Sequence, residues 1–121
     1  MRDGWVRGLQ ALIRRRIWRM DIAHSARIAR SAYIDRTFPA GIHIGADAVI
    51  DEEAIVLTHD MTRNIYLETR IGPRSHIGPR AVIMPGMVVG ADCEVIAGAL
   101  VNRDVPDGHR AIGNPARIEP R

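Results

Sequence analysis

The sequence predicts an all-β solenoid, a parallel β-helix, preceded by one amphipathic α-helix. The first observation is a six-residue repeat of β-branched aliphatic residues, whose longest run is Ile65, Ile71, Ile77, Ile83, Val89, Val95 and Val101. The second is a small residue two positions before most of them, as at Ser75, Ala81 and Cys93. An α-helix repeats every ~3.6 residues and a half-buried strand every ~2, so neither explains this period. Short strands joined by tight corners do explain it, with one large side chain per strand in a narrow core.

A three-residue winding is the alternative to the solenoid, because six is also two turns of that period. Collagen requires glycine at every third position, and this chain lacks that pattern. The 121 residues are the size of one domain. With three strands per turn, the aliphatic positions predict a little over four turns of solenoid.

Three segments follow from the sequence. Residues 1–20 form a basic helix, residues 21–105 form the β-helix, and residues 106–121 form a C-terminal loop or tail. The helix is expected over residues 3–20, with its apolar residues on one stripe: Trp5, Leu9, Leu12, Ile13, Ile17 and Met20. Either this stripe docks on the solenoid and caps an open end, or it lies on an anionic lipid surface.

Charge is distributed unevenly along the chain. All 17 basic residues are arginine; residues 1–20 hold six of them with one acid, whereas the rest holds 11 arginines with 13 acids. The basic balance therefore belongs to the helix, and no aromatic platform or second basic patch supports nucleic-acid binding. No apolar run approaches the ~20 residues of a membrane span, and arginines interrupt any signal-like stretch. These features predict a cytoplasmic protein, with peripheral contact at the inner membrane face if residues 3–20 bind lipid.

The repeat starts with two shorter runs. Ile22, Ile28 and Ile34 form the first, and a loop over residues 35–42 follows it. Ile44, Ile50 and Val56 form the second. The next interval, from Val56 to Ile65, is nine residues instead of six, so three extra residues interrupt the coil there.

This break in the period is where we expect chemistry. A loop on a rigid scaffold is a common place for functional side chains, and His59 lies on this loop with Asp60 beside it and Asn64 nearby. A histidine can accept a proton from an alcohol near neutral pH. The alternative is a structural histidine at a coil corner.

Other polar residues give weaker signals. His24, His43, His76 and His109 are expected on the surface, and no close histidine pair indicates a metal site. The single cysteine, Cys93, excludes an intramolecular disulfide and is expected as a packed thiol. Arg103 and Arg117 lie beside turn residues and could bind phosphate, or be ordinary exposed charges.

One stretch resembles a known family. Residues 71–86, IGPRSHIGPRAVIMPG, resemble the central stretch of the hexapeptide-repeat acyltransferases, as do residues 89–92 and 102–106. Residues 113–117, GNPAR, are similar to that family's C-terminal signature. The resemblance covers roughly residues 42–118. It points towards the maltose/galactoside acetyltransferases and the O-acetyltransferases of surface polysaccharide synthesis.

The resemblance implies a left-handed parallel β-helix and a homotrimer with active sites between subunits. Acetyl-CoA would be the donor, with no metal, and His59 would correspond to the catalytic base. It would deprotonate a sugar hydroxyl, which attacks the thioester directly while backbone amides hold the oxyanion. The remaining family positions map onto a coenzyme-binding set: His76, Gly78 and Pro79 near the pantetheine, Ala97 on the opposing wall, Arg103 and Arg117 at the phosphates, and Pro115 near the adenine. His76 departs from the family pattern, because relatives often have tryptophan there.

The expected function is therefore acetyl-CoA-dependent O-acetylation of a sugar or glycan precursor. The acceptor is open: a lipid-linked glycan if the helix touches membrane, otherwise a sugar nucleotide or free sugar. An amino-sugar N-acetyltransferase is the nearest alternative. A zinc enzyme of the γ-carbonic-anhydrase type and a non-catalytic β-helix scaffold are more distant alternatives.

Overall fold

The computed structural model describes residues 4–121 as one helix followed by short strands. The helix α1 is Gly4–Arg16. The strands are β1 Asp21–Ile22, β2 Arg27–Ile28, β3 Tyr33–Ile34, β4 Ile42–Ile44, β5 Val49–Ile50, β6 Ile55–Val56, β7 His59–Asp60, β8 Ile65–Tyr66, β9 Thr69–Ile71, β10 His76–Ile77, β11 Val82–Ile83, β12 Val88–Val89, β13 Glu94–Val95, β14 Leu100–Val101, β15 His109–Ile112 and β16 Arg117–Pro120. A 3₁₀ turn, Pro39–Gly41, precedes β4.

The strands stack into three sheets that form the sides of a prism. Sheet A has the order β1-β4-β9-β12, sheet B the order β16-β15-β13-β10-β5-β2, and sheet C the order β14-β11-β6-β3. All neighbours are parallel except β15 and β16. The register places each aliphatic residue of the repeat beside its equivalent one coil away, as for Ile44 and Ile71. The predicted all-β solenoid is therefore confirmed.

The interior is the aliphatic column that the repeat predicted. Ile50, Ile77, Ile83, Val95 and Val101 are among its fully buried members. Most of the small residues two positions earlier are also buried, because their side chains point inward where the chain turns each corner, and Ala26 in the first coil is partly buried. Where such a residue is polar, its hydroxyl is satisfied: the Ser75 Oγ donates to the Gly90 carbonyl at 2.6 Å.

The interval between the second and third coils differs from the prediction. Val56 is followed in the core by Ile71, and Ile65 lies outside the solenoid on β8. There β8 pairs antiparallel with β7 in a hairpin, so the prediction that Ile65 belongs to the repeat is wrong. Ile65 precedes Ile71 by six residues only because of the length of the hairpin strand, and it is not one of the stacked core residues. The excursion, residues 57–68, is thus longer than the sequence indicated.

Both interruptions of the solenoid lie at the same corner. The loop after β3 and the hairpin after β6 each leave sheet C and return to sheet A. Their side chains therefore meet along one edge of the prism.

The helix covers the first coil, as one of its two predicted alternatives required, but it does so with polar side chains and not with the apolar stripe. The Arg15 Nε and Nη2 donate to the carbonyl oxygens of Ile22 and Ala23 at 3.0 and 2.9 Å, and the Gln10 Nε2 donates to that of Arg30 at 3.2 Å. The first coil has no preceding coil to pair with, so its carbonyl groups need donors that an apolar stripe cannot supply.

The apolar stripe consequently points outward. Trp5 is 75% exposed, Leu9 50%, Leu12 53% and Ile17 68%, so the alternative in which this stripe docks on the solenoid is wrong for these four residues, whereas Ile13 is partly buried. Met20, beyond the helix, is buried as a core residue. Residue 3, where the helix was expected to begin, lies outside the described residues.

The C-terminal segment, expected as a loop or tail, extends sheet B. Strand β15 pairs parallel with β13, and β16 folds back antiparallel on β15. Within the described residues, no helix has the length and apolar character that crossing a membrane requires.

Candidate functional site

A cleft of ≈ 380 Å³ opens where the hairpin leaves the solenoid. Its walls include Tyr33, Asp35, Leu57, His59, Met61 and Met84. They come from three successive coils at the corner between sheets C and A, together with the hairpin. The break in the six-residue period therefore produces the concave surface that the regular prism lacks.

Asp35 anchors the hairpin from beneath. Its side chain is buried, and its Oδ2 accepts the backbone N–H groups of Thr58 at 3.0 Å and His59 at 3.1 Å. Its Oδ1 accepts the N–H of Thr37 at 2.9 Å. Burial alone would raise the pKa of Asp35, but the hydrogen bonds from Thr37, Thr58 and His59 outweigh it and hold the pKa below its ordinary value. The ionised carboxylate thus fixes the backbone position of His59.

The His59 ring is held by aromatic contacts and stays open to the cleft. It stacks on Tyr66, with ring centroids 4.5 Å apart and an interplanar angle of 13°. Phe38 in turn packs edge-on against the Tyr66 ring, with the two ring centroids 6.0 Å apart. The Nε2 lies 3.4 Å from the Asn64 Oδ1, which is long for a hydrogen bond. This arrangement orients an accessible imidazole that can exchange a proton with a bound hydroxyl.

Asp60 closes the hairpin turn instead of pairing with the histidine ring. Its carboxylate accepts the N–H groups of Thr62 and Arg63 at 3.0 and 3.1 Å, and the Arg63 Nε at 2.7 Å. The hydrogen bond from the Arg63 side chain is the main reason that the pKa of Asp60 is lowered. The ionised Asp60 side chain therefore stabilises the hairpin turn.

Four predicted coenzyme-binding residues lie along a different edge, between sheets B and C. Gly78 and Pro79 turn the corner from β10 to β11, and Ala97 turns it one coil later. The Gly98 N–H donates to the Pro79 carbonyl at 2.9 Å, which stacks the two corners. The turn containing Pro115 continues this edge, because the Leu100 N–H donates to the Gly113 carbonyl at 2.9 Å.

Gly78 is required by that stacking. A Cβ at this position would lie 2.7 Å from both the Ala97 backbone nitrogen and the Val95 carbonyl oxygen. Backbone atoms cannot move aside as a flexible side chain can, so a larger residue would separate the coils.

The three remaining predicted coenzyme residues are on the surface. His76 points out from sheet B, and its Nε2 lies 3.1 Å from the Asp51 Oδ2. Arg103 is exposed beyond β14, and Arg117 is exposed on β16 with its Nε 3.7 Å from the Glu119 Oε2. Of the seven residues assigned to the coenzyme, none is among the described residues that line the His59 cleft. The chain therefore carries the two parts of the predicted site at different edges of the solenoid.

Sequence reasoning missed two residues: Asp35, which lines the cleft, and Tyr66, which stacks on the His59 ring. The one available signal for Asp35 was its position directly after Ile34, where the first run ends. In the described part of the chain, no group of three or more His, Cys, Asp or Glu side chains is arranged to hold a metal ion.

Comparison with known proteins places these features in a family. No protein-family model matches the chain. YvoF of Bacillus subtilis, which is named as an acetyltransferase, is 33% identical over 92% of this chain and 66% of its own length. SAR0816 of Staphylococcus aureus, also named as an acetyltransferase, is 34% identical over 92% of this chain and 70% of its own length.

Solved structures share the fold. The hexapeptide-repeat acetyltransferase VCA0836 from Vibrio cholerae has a TM-score of 0.71 at 22% identity, over 93% of this chain and 79% of its own. A galactoside acetyltransferase solved with coenzyme A has a TM-score of 0.58 at 20% identity, over 78% of this chain and 62% of its own. These neighbours share the solenoid architecture, and the sequence relatives extend the likeness over most of the chain. This chain belongs to the hexapeptide-repeat acetyltransferase family.

Proposed function

We propose that the protein is an acetyl-CoA-dependent O-acetyltransferase that acetylates a hydroxyl of a sugar or glycan precursor in surface polysaccharide synthesis. The observation that carries the proposal is the position of His59. Its imidazole is accessible from the cleft, and its backbone N–H is held by the buried Asp35 carboxylate. Because the galactoside acetyltransferase of the same fold binds coenzyme A, we assign the donor as acetyl-CoA. We also propose that the reaction takes place in the cytoplasm.

The proposed reaction is a single displacement. His59 takes the proton of the acceptor hydroxyl as its oxygen bonds to the thioester carbonyl carbon. The resulting oxyanion is stabilised by backbone N–H groups, and it collapses as the carbon–sulfur bond breaks. The coenzyme thiolate leaves and takes up the proton from His59. Because the acceptor attacks the thioester directly, no acyl-enzyme forms.

The cleft suits a sugar. Met61, Met84 and Leu57 offer apolar surface for the C–H faces of a pyranose ring, and Thr62 and Asp60 offer polar atoms for its hydroxyls. The ≈ 380 Å³ volume is in the range of sites for small ligands.

We further propose that a homotrimer completes the site. His59 and the stacked corners of Pro79 and Ala97 lie at opposite edges of sheet C, so a neighbouring subunit has to bring the second edge to the first. The outer face of sheet C favours such contact, because an apolar column runs along it: Tyr33, Ile55, Val82 and Leu100.

Val82→Glu tests this assembly. We expect the variant to dissociate towards monomer at micromolar concentration, because a carboxylate buried between subunits lacks a partner. Specific activity should fall roughly ten-fold and become dependent on protein concentration. Sedimentation velocity and activity assays measure both effects. Val88→Glu, an outward substitution on sheet A, is the matched control, and an unchanged mass for Val82→Glu would contradict the proposed interface.

The function itself is tested by acetyl transfer to a panel of acceptors. Purified protein is incubated with acetyl-CoA and maltose, a galactoside, glucosamine or a nucleotide sugar, and the free thiol and acetylated product are measured. Hydroxylamine cleaves an ester but leaves an amide, so product lability separates O-acetylation from the N-acetyl alternative. Acceptor-dependent thiol release with a labile product supports the proposal, and no release with any acceptor contradicts it.

Arg117→Ala tests the coenzyme end of the site. If the guanidinium contacts a phosphate, the variant should raise the KM for acetyl-CoA about ten-fold with little change in kcat, because the contact exists before and during transfer. Steady-state kinetics at varied acetyl-CoA measure this split. Arg70→Ala, which removes an exposed arginine from sheet A, should leave the KM unchanged. Equal effects of the two substitutions would remove Arg117 from the site.

A further inference from the structure

The outer face of α1 is an unpartnered apolar surface on an otherwise arginine-rich element. This outer helix face consists of Trp5, Leu9, Leu12 and Arg16 of α1 together with Ile17, which directly follows the helix, and its four apolar members are at least half exposed. In a soluble helix the apolar side normally packs on the protein and the charged side faces water. Here the arrangement is reversed, because Arg15, Arg14 and Gln10 donate to the first coil.

The chemistry of the face favours an anionic lipid surface over a protein. Residues 4–20 contain no acidic side chain, whereas Arg16 and Arg19, which lie within two residues of Ile17 in the sequence, are exposed. Trp5 suits the boundary between acyl chains and headgroups, where its ring is buried and its N–H stays wet. Arginine stems can lie along the acyl region with their guanidinium groups at the phosphates.

A second copy of the chain fits less well. Arg16 lies one helical turn after Leu12 on the same stripe, so a partner helix would bury it together with Trp5, Leu9 and Leu12. No carboxylate in residues 4–20 of such a partner could neutralise it, and a buried unpaired charge is costly. Lipid phosphates supply the missing negative charge.

We propose that α1 lies in the surface plane of an anionic membrane through its outer helix face. The helix would be too short and too charged to span the bilayer, so the attachment is peripheral. The first coil then rests on the lipid side, with the remaining coils stacked away from it. This attachment does not depend on the transferase reaction.

Flotation with vesicles tests the proposal on the full chain. Vesicles of phosphatidylcholine are compared with vesicles that also contain phosphatidylglycerol, at about 0.1 M and about 1 M salt, where the Debye length falls from about 10 to about 3 Å. We expect binding to the phosphatidylglycerol vesicles at low salt, with at least ten-fold weaker partitioning at high salt or without the anionic lipid.

Two variants separate the apolar and charged contributions. Leu9→Gln/Leu12→Gln keeps the helix propensity but removes apolar surface, and Arg16→Gln/Arg19→Gln removes two charges. Each should weaken partitioning by roughly ten-fold or more. Arg74→Gln/Arg80→Gln, which removes two exposed arginines from the solenoid, is the charge-matched control and should bind as the parent does.

The same variants exclude the alternatives. No binding to anionic vesicles, or equal loss in the Arg74→Gln/Arg80→Gln control, would overturn the proposal. Sedimentation of the Leu9→Gln/Leu12→Gln variant without lipid gives a further check. A smaller native mass than that of the parent would show that a second copy covers the face, and that result would also overturn it.

Discussion

Replacing His59 with alanine is expected to lower kcat about 10³-fold, in the range that a positioned general base contributes. The KM for acetyl-CoA should change little, because the predicted coenzyme residues lie at another edge of the prism. Rates are measured with the best acceptor from the panel. His24→Ala, which removes an exposed histidine from the first coil, is the matched control.

The fold of the His59→Ala variant should be preserved. His59 lies on the hairpin outside the buried column, so its removal costs the stacking contact with Tyr66 and the long contact with Asn64, and no core packing. Far-UV circular dichroism and native mass check this. Activity within two-fold of the parent in a folded His59→Ala variant would contradict the assignment of the base.

Asp35→Asn should give the second large effect, about 10²-fold in kcat. The amide retains one acceptor oxygen, but its NH₂ would face either the N–H of Thr37, which now donates to Oδ1, or the N–H groups of Thr58 and His59, which now donate to Oδ2. Displacement of the hairpin by even ~1 Å can cost this much in rate. We also expect a loss of about 2–4 kcal/mol in the free energy of unfolding, since hydrogen bonds to a buried charge are removed.

Kinetics and denaturation separate the positioning role from general destabilisation. If Asp35 positions His59, kcat falls at temperatures where the variant is fully folded, and the KM for acetyl-CoA is unchanged. Asp92→Asn, which breaks an exposed ion pair with Arg74, should change neither kcat nor stability appreciably. A folded Asp35→Asn variant with parental kcat would show that the carboxylate only stabilises the fold.

The lowered pKa of Asp35 also predicts how stability depends on pH. The folded state favours the ionised carboxylate, so this contribution is fully present above the unfolded pKa of about 3.9. It is lost as the pH falls through the lower folded pKa. The difference in unfolding free energy between the parent and Asp35→Asn should therefore shrink in acid, as urea titrations at several pH values would measure.

The core of the fold was readable from the sequence because each strand contributes one inward residue at a fixed interval. Ile22, Ile44 and Ile71 pair in register although the intervals between them differ. The periodicity identifies such residues individually, whatever the loop between them. The periodicity was misleading at Ile65. An aliphatic residue on a hairpin can lie six residues from a core position simply because the hairpin strand has that length.

The candidate site was only partly predictable. The break in the six-residue period pointed to His59, since an interruption of a regular repeat can be seen in the sequence alone. The role of Asp35 depends on the approach of residues 35 and 58 across two coils, and no local pattern marks a carboxylate as buried. Hydrophobic patterning left two alternatives open for the apolar stripe of α1, and the docking alternative is wrong because such patterning ignores the unpaired carbonyl groups to which Arg15 donates.

Calorimetric titration of the purified protein with acetyl-CoA is the most direct test of the proposed transferase function. We expect saturable binding at one site per chain, weakened about ten-fold in Arg117→Ala and retained in His59→Ala. The absence of saturable binding at millimolar acetyl-CoA would contradict the claim that this solenoid is an acetyl-CoA-dependent transferase.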